Sequence, residues 1–170
     1  MDTLEARAAL EQFAQHYDYD NGYIVQLLED SPAAYQAFAA AQAMPNIHQV
    51  LPVEAFFVAK IAVMKTEDCG PCLNLSLKMG AEQGLERELL KKAVADPQSL
   101  PQQLRDIHDH AVAVIRNEND DADRMERIRN HYGMEAFAEL AVVIVGCRIY
   151  PTLKRAMGMA NHCELAKLDF

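Results

Sequence analysis

Val53-Glu54-Ala55-Phe56-Phe57-Val58-Ala59-Lys60-Ile61-Ala62-Val63-Met64-Lys65-Thr66-Glu67-Asp68-Cys69-Gly70-Pro71-Cys72 is the stretch whose reading decides the fold. From Pro52 to Lys65 it is almost apolar all round. A helix without a polar face is a central helix or one at a subunit interface. At its end two cysteines stand with two residues between them. Thiols at that spacing can close and reopen a small disulfide ring, or supply two ligands to a zinc ion. Helical patterning resumes at Cys72 and runs to Gln83, with Leu73, Leu77 and Gly80 on one face, and Gly84 ends it. The cysteines therefore fall where one buried helix stops and the next starts.

That setting limits the chemistry. Cys-Gly-Pro-Cys is the tetrapeptide of thioredoxins, but a thioredoxin site needs a strand before it and a βαβ pattern around it. Here a long helix precedes the motif. If a helix begins at Asp68 or Cys69, both thiols lie in its first turn, where the amide dipoles favour thiolate over thiol. Gly70 lets the backbone turn closely, and Pro71 loses no hydrogen bond there. One cysteine can attack a peroxide or a disulfide sulfur, and the other can resolve the intermediate. The negative charges of Glu67 and Asp68 oppose thiolate formation if they point inward; they equally suit a helix cap and a proton carrier.

Outward from this centre the patterning stays helical. Leu4–Tyr17, Tyr23–Glu29 and Ala33–Met44 read as helices, with a turn at Asp18–Gly22 and with Ser31 and Pro32 as N-cap and first helical residue. This part shows no chemistry of its own and reads as a helical extension that packs on the body or on a partner. Beyond Gly84, helices are expected over Leu85–Ala95 and Leu100–Asn117. After an acidic turn, in which Asp121 or Asp123 suits a cap, another helix is expected to reach His131. Gly133 should break it. Met134–Met157 is a second long apolar segment. Its Val142-Val143-Ile144-Val145 run alone would suit a strand, but its length and its Glu135/Glu139 spacing favour a buried helix, kinked or restarted at Pro151. No strand pair, repeat or low-complexity tract is found. The expectation is an all-α chain: an N-terminal extension over residues 1–46, a core over 47–158 and a tail over 159–170.

Composition bounds the function. The chain has 170 residues, 51% hydrophobic and 24% charged, which suits one ordinary globular domain. A net charge of −9 argues against nucleic acid and anionic membrane surfaces as partners, since both need basic patches. Met1–Glu5 has neither a basic nor an apolar signal region, and no unbroken apolar run reaches roughly 18 residues. Four cysteines in a chain of this length do not form a disulfide framework. The expected location is the cytoplasm, where a cysteine pair of this spacing is catalytic or metal-binding rather than structural.

Other candidates read more plainly. His108 and His110 lie on opposite sides of one helix and cannot share a metal; His108 reads as a core histidine, and Asp106 with His110 as a surface pair. His131 reads as a helix-end charge partner, and Cys147 as a small buried hydrophobe. Glu135 and Glu139 suit solvent or a subunit salt bridge, or an active-site carboxylate. His162 and Cys163, added to Cys69 and Cys72, would complete a Cys₃His zinc set.

The run Glu54–Met64, the cysteine motif, the helix to Gly84 and the closing helix Met134–Gly158 together resemble the carboxymuconolactone decarboxylase/alkyl hydroperoxidase D-like superfamily, over roughly residues 47–158. The resemblance implies an all-α fold with intertwined subunits, assembled as dimers, trimers or hexamers, and needing no cofactor. Members with the cysteine pair are thiol-dependent peroxidases or disulfide reductases; decarboxylase members generally lack it. It implies Cys69 and Cys72 as the redox pair. The family has a histidine four residues after the second cysteine, where this chain has Ser76. It has a glutamate twelve residues before the first, where this chain has Phe57. Between the cysteines, where a histidine is frequent, stand Gly70 and Pro71. Glu54, one helical turn before Phe57, Glu67 and Ser76 are the expected proton-transfer groups. The substrate would be a small molecule or a protein disulfide. The alternatives are a decarboxylase-like enzyme of the same superfamily and a structural or zinc-stabilised domain.

Overall fold

The computed structural model describes residues 3–118 and 121–160. Among them the fold is all-α, with no strand. The helices are α1 (Thr3–Tyr17), α2 (Gly22–Asp30), α3 (Pro32–Ala41), α4 (Val53–Thr66), α5 (Gly70–Glu82), α6 (Arg87–Ala95), α7 (Gln102–Arg116) and α8 (Ala122–Ala156).

Helix α4 is apolar all round because it is covered all round. Every residue from Ala55 to Met64 is buried, and α5, α6, α7 and α8 all pack against it. Phe57, Ile61, Val63, Leu77, Ile107, Leu140 and Ile144 make the centre of this core. Each such side chain contributes roughly 1.5–3 kcal/mol by leaving water. A second, smaller core joins α1–α3 through Ala6, Tyr19, Tyr23, Ile24, Leu28 and Tyr35. It leans on the body through Leu75 of α5 and Tyr150 and Leu153 of α8. Tyr150 touches both cores. At the surface Glu82 of α5 ties down α1 by accepting from the Tyr17 hydroxyl and pairing with His16 at 2.9 Å.

Local chemistry explains the helix ends. Ser31 caps α3 by accepting the Ala34 N–H at 3.2 Å, with Pro32 in the first turn. Asp121 is the cap of α8, accepting the Asp123 N–H at 3.0 Å. The expected helix to Met44 stops at Ala41, and Met44–Asn46 forms a short 3₁₀ turn. That turn lies flat on α8 at Gly146, where a Cβ would stand 2.4 Å from the Pro45 nitrogen. Only a residue without a side chain allows the two backbones to meet so closely.

Helix α8 corrects one expectation. Gly133 does break it, at φ 88° and ψ 163°, but it is the only residue of that span with non-helical backbone angles. Pro151 is buried inside the helix and does not restart it. By length and composition α8 is apolar enough to cross a membrane. Its packing accounts for part of that apolarity: Leu140, Val143, Ile144 and Cys147 fill the core against α4 and α7, while Met134, Val142 and Val145 are exposed.

Two carboxylates also differ from expectation. Asp106 is buried and is held by Arg127 through two bonds, at 2.7 and 2.9 Å, rather than pairing with His110 on the surface. The bonds to Arg127 hold its carboxyl below the usual aspartate range. His110 is buried against the Phe137 ring. Glu139 faces neither solvent nor a salt bridge: it accepts the backbone N–H groups of Gln49, Val50 and Leu51, fixing the loop that leads into α4. Glu135 is exposed.

Candidate active site

The corner between α4 and α5 is a helix-ending motif that places the first cysteine. Asp68 takes a left-handed conformation, φ 53°. Its N–H bonds the Lys65 carbonyl at 3.2 Å, and the Cys69 N–H reaches back to Met64 at 3.1 Å. This is the paired closure of a Schellman cap, with aspartate where glycine is commoner. Cys69 then serves as the N-cap residue of α5, its carbonyl accepting the Leu73 N–H at 2.8 Å, with Pro71 in the first turn. Cys69 and Cys72 are joined as a disulfide, with Cα atoms 5.3 Å apart. Both are buried.

The sulfur of Cys72 lies 3.8 Å from the Tyr19 hydroxyl, which is 3.2 Å from that of Tyr23. Burial pushes the Tyr19 phenol above its ordinary pKa, so it stays protonated as a donor. Tyr19 is delivered by the same device as Cys69. Asp18, φ 49°, is left-handed at the end of α1, and the Tyr19 N–H bonds the Ala14 carbonyl at 3.0 Å.

Cys72 and Tyr19 share a cavity of about 230 Å³ between the N-terminal helices and the body. Leu10, Phe13, Ile24 and Met79 make much of its wall, while Ser76, Asn46 and Lys60 give it polar atoms. Helices α1–α3 and the loops that join them thus supply about half of the lining residues and a hydroxyl beside the disulfide, although their sequence pattern carries no sign of chemistry.

The expected proton-transfer groups distribute differently. Ser76 lines the cavity, but its hydroxyl donates to the Cys72 carbonyl at 2.9 Å. Glu67 is buried beside the motif and away from the cavity wall. Arg155 donates to its carboxylate and, at 3.2 Å, to its carbonyl, while the Arg148 Nε stands 2.6 Å from Oε1 as a charge contact. Its charge is thereby spent on α8 and not on the thiols. Glu54 is exposed in the first turn of α4. Ten residues of helix, about 15 Å, separate it from Met64, where the Cys69 corner begins. Phe57 is packed against Phe56 and the Gly80 position. The polar group that α4 offers the cavity is Lys60, one turn beyond Phe57.

Among the described residues no carboxylate or imidazole lines the cavity beside Cys72. His108 bonds Asp109 at 2.9 Å. Cys147 is buried, and burial pushes its thiol up to about 12. Among the described residues no group of three or more histidine, cysteine or acidic side chains is arranged to hold a metal ion. His162 and Cys163 lie outside the described residues.

No protein-family model, curated protein or solved structure matches the chain.

Proposed function

We propose that the chain is a thiol-dependent oxidoreductase in which Cys69 and Cys72 cycle between dithiol and disulfide. The observation that carries this reading is the pairing of the two sulfurs at the start of a helix, both buried, with Cys72 lining a partly open apolar cavity and a protonated phenol beside it.

In the reduced form the helix start and the Tyr19 hydroxyl both favour a Cys72 thiolate. With a hydroperoxide, the thiolate attacks the terminal oxygen and the O–O bond breaks. The alkoxide leaves and takes a proton from Tyr19 or from water, and Cys72 becomes a sulfenic acid. The Cys69 thiol then attacks that sulfur, expels water and closes the disulfide. With a disulfide substrate, the same thiolate attacks one sulfur, the S–S bond breaks and the other sulfur leaves as a thiolate. Cys69 passes its proton to that leaving group, attacks the Cys72 sulfur of the mixed disulfide and releases the second substrate sulfur as a thiolate, which takes a proton from water. A second dithiol, small or on a protein, returns two electrons and two protons to reset the pair.

The alkyl hydroperoxidase D-like fold and a homo-oligomeric state belong to this proposal. They are supported by the all-helical setting of the motif and by exposed apolar side chains along α8, Met134, Val142 and Val145, which a second copy would cover. The test is turnover of an alkyl hydroperoxide, and separately of a small aromatic disulfide, by the wild type and by Cys69→Ser and Cys72→Ser. Loss of turnover in both variants supports the reading; turnover unchanged in either refutes it.

A further inference from the structure

Lys60 has no part in that thiol chemistry, yet it is the most unusual group in the cavity. It stands in the middle of the buried helix α4 and is 5% exposed. Lysine is almost never buried to that degree without a partner of opposite charge. Its ammonium has one hydrogen-bond acceptor, the neutral Asn46 Oδ1 at 3.2 Å. Beyond that it meets the faces of Phe56 and Phe57, 4.9 and 5.9 Å from their centroids. Among the described residues no carboxylate lies within ion-pair distance of it. The buried carboxylates named above are compensated, Glu67 by two arginines, Asp106 by Arg127 and Glu139 by three backbone N–H groups. Lys154, the other buried lysine, meets the Tyr23 ring 5.8 Å away but does not line the cavity.

A buried ammonium without a counter-ion costs several kcal/mol, and the cost is highest when the wall around it is apolar. Here the wall is apolar and the space beside the amine is open. A cavity of about 230 Å³ exceeds the roughly 150 Å³ that encloses benzene. It has room for a benzene-sized body with a small substituent. The shape and the charge together specify the ligand: an apolar body facing Leu10, Phe13, Ile24 and Met79, and one anionic group facing Lys60.

We propose that this cavity binds a small organic carboxylate, with an aromatic or short aliphatic body, whose carboxylate pairs with the Lys60 ammonium. The inference holds whether or not the thiol pair turns over, because binding needs only the oxidised protein.

The groups that share the surroundings of Lys60 make the pH dependence simple. Cys147 approaches from α8 and stays neutral up to about 12. The phenols of Tyr19, Tyr35 and Tyr150 line the cavity, and burial pushes Tyr19 and Tyr150 upward. Cys72 is held in its disulfide. Burial lowers the Lys60 pKa, and a bound carboxylate opposes that shift by favouring the charged amine. Binding therefore weakens as pH rises through the titration of the amine.

The experiment is thermal unfolding and calorimetric titration of the oxidised protein with benzoate, phenylacetate and hexanoate, and with benzamide as the neutral control. At least one carboxylate should raise the melting temperature in a concentration-dependent way, while benzamide has no comparable effect. Lys60→Met should fold, should be no less stable than the wild type without ligand, and should bind that carboxylate about tenfold more weakly or worse. No response to any of the three carboxylates, an equal response to benzamide, or unchanged affinity in Lys60→Met overturns the inference. A protein that binds the carboxylate but turns over no peroxide or disulfide leaves this inference standing and removes the redox reading; the converse result separates them the other way.

Discussion

The Glu139 carboxylate on α8 accepts the Leu51 backbone N–H at 2.8 Å, across 88 residues of sequence. The Val50 and Gln49 N–H groups add bonds at 3.0 and 3.1 Å. One side chain thus holds the entrance to the central helix. Burial pushes this carboxyl upward, but the three N–H donors outweigh it and hold its pKa below the ordinary 4.5. A depressed folded-state pKa stabilises the fold fully above the unfolded value, and the effect fades as pH falls through the folded one. Glu139→Gln should cost about 2 kcal/mol at neutral pH. Its stability should fall less steeply than the wild type's below the ordinary glutamate pKa. Thermal melts across the acid range check this; parallel acid slopes would remove the assigned role.

Tyr19→Phe tests the hydroxyl beside the sulfur. The oxidised protein should keep its fold, since the ring remains. In the reduced protein the Cys72 thiolate loses a donor, so its pKa should rise. Alkylation at neutral pH should slow by about tenfold, which corresponds to roughly 1.4 kcal/mol. The pH profile of alkylation reads this directly. An unshifted profile would show that Tyr19 does not touch the reactive state.

Glu67 and its arginines should respond asymmetrically. The Glu67 side chain is 6% exposed, whereas Arg148 and Arg155 are 52% and 46% exposed. Removing the acid leaves two cations that water can reach. Removing both cations leaves a buried carboxylate alone, which is the costlier defect, at about 3 kcal/mol or more. The double variant Arg148→Met/Arg155→Met should therefore unfold at lower denaturant than Glu67→Gln. The reverse order would mean that the arginines reach Glu67 only weakly in solution.

Asp68 carries the backbone turn that delivers Cys69. Glycine accepts φ 53° without strain, and a β-branched residue does not. Asp68→Gly should stay close to wild-type stability. Asp68→Val should lose about 2 kcal/mol and should also alter how readily the disulfide is reduced, because the Cys69 backbone shifts. Chemical unfolding and dithiothreitol titration measure the two effects; equal behaviour of the two variants would show that the turn does not constrain the cysteines.

The helices were legible because their signals are local. An apolar run without a polar face announced the buried α4, Ser31-Pro32 announced the start of α3, and Gly133 announced a break. The pairing of the two cysteines was legible for the same reason, since two thiols at that spacing can close a ring. Asp106, Glu139 and Tyr19 were not legible, because what each one touches lies far away in sequence: Arg127 on another helix, the loop at residues 49–51, and a sulfur 53 residues later. Periodicity reports that a face is buried and not which atoms meet there. Lys60 left a visible mark, a cation inside ten otherwise apolar positions, but only the cavity gives that mark a direction. The left-handed Asp18 and Asp68 are similar. Each ends a helix and sets the direction of the next residue, Tyr19 in the cavity wall and Cys69 bonded to Cys72, and aspartate at such a point does not announce itself as glycine would.

The wall of the cavity is divided between two parts of the chain. The body holds Cys72, Ser76 and Lys60, while α1–α3 and the loops that join them supply Leu10, Phe13, Tyr19 and Ile24. The cavity is therefore a joint product of two lengths of polypeptide, and neither encloses it alone. A substitution within α1–α3 that leaves the Cys69–Cys72 corner untouched still reshapes the wall that Cys72 faces.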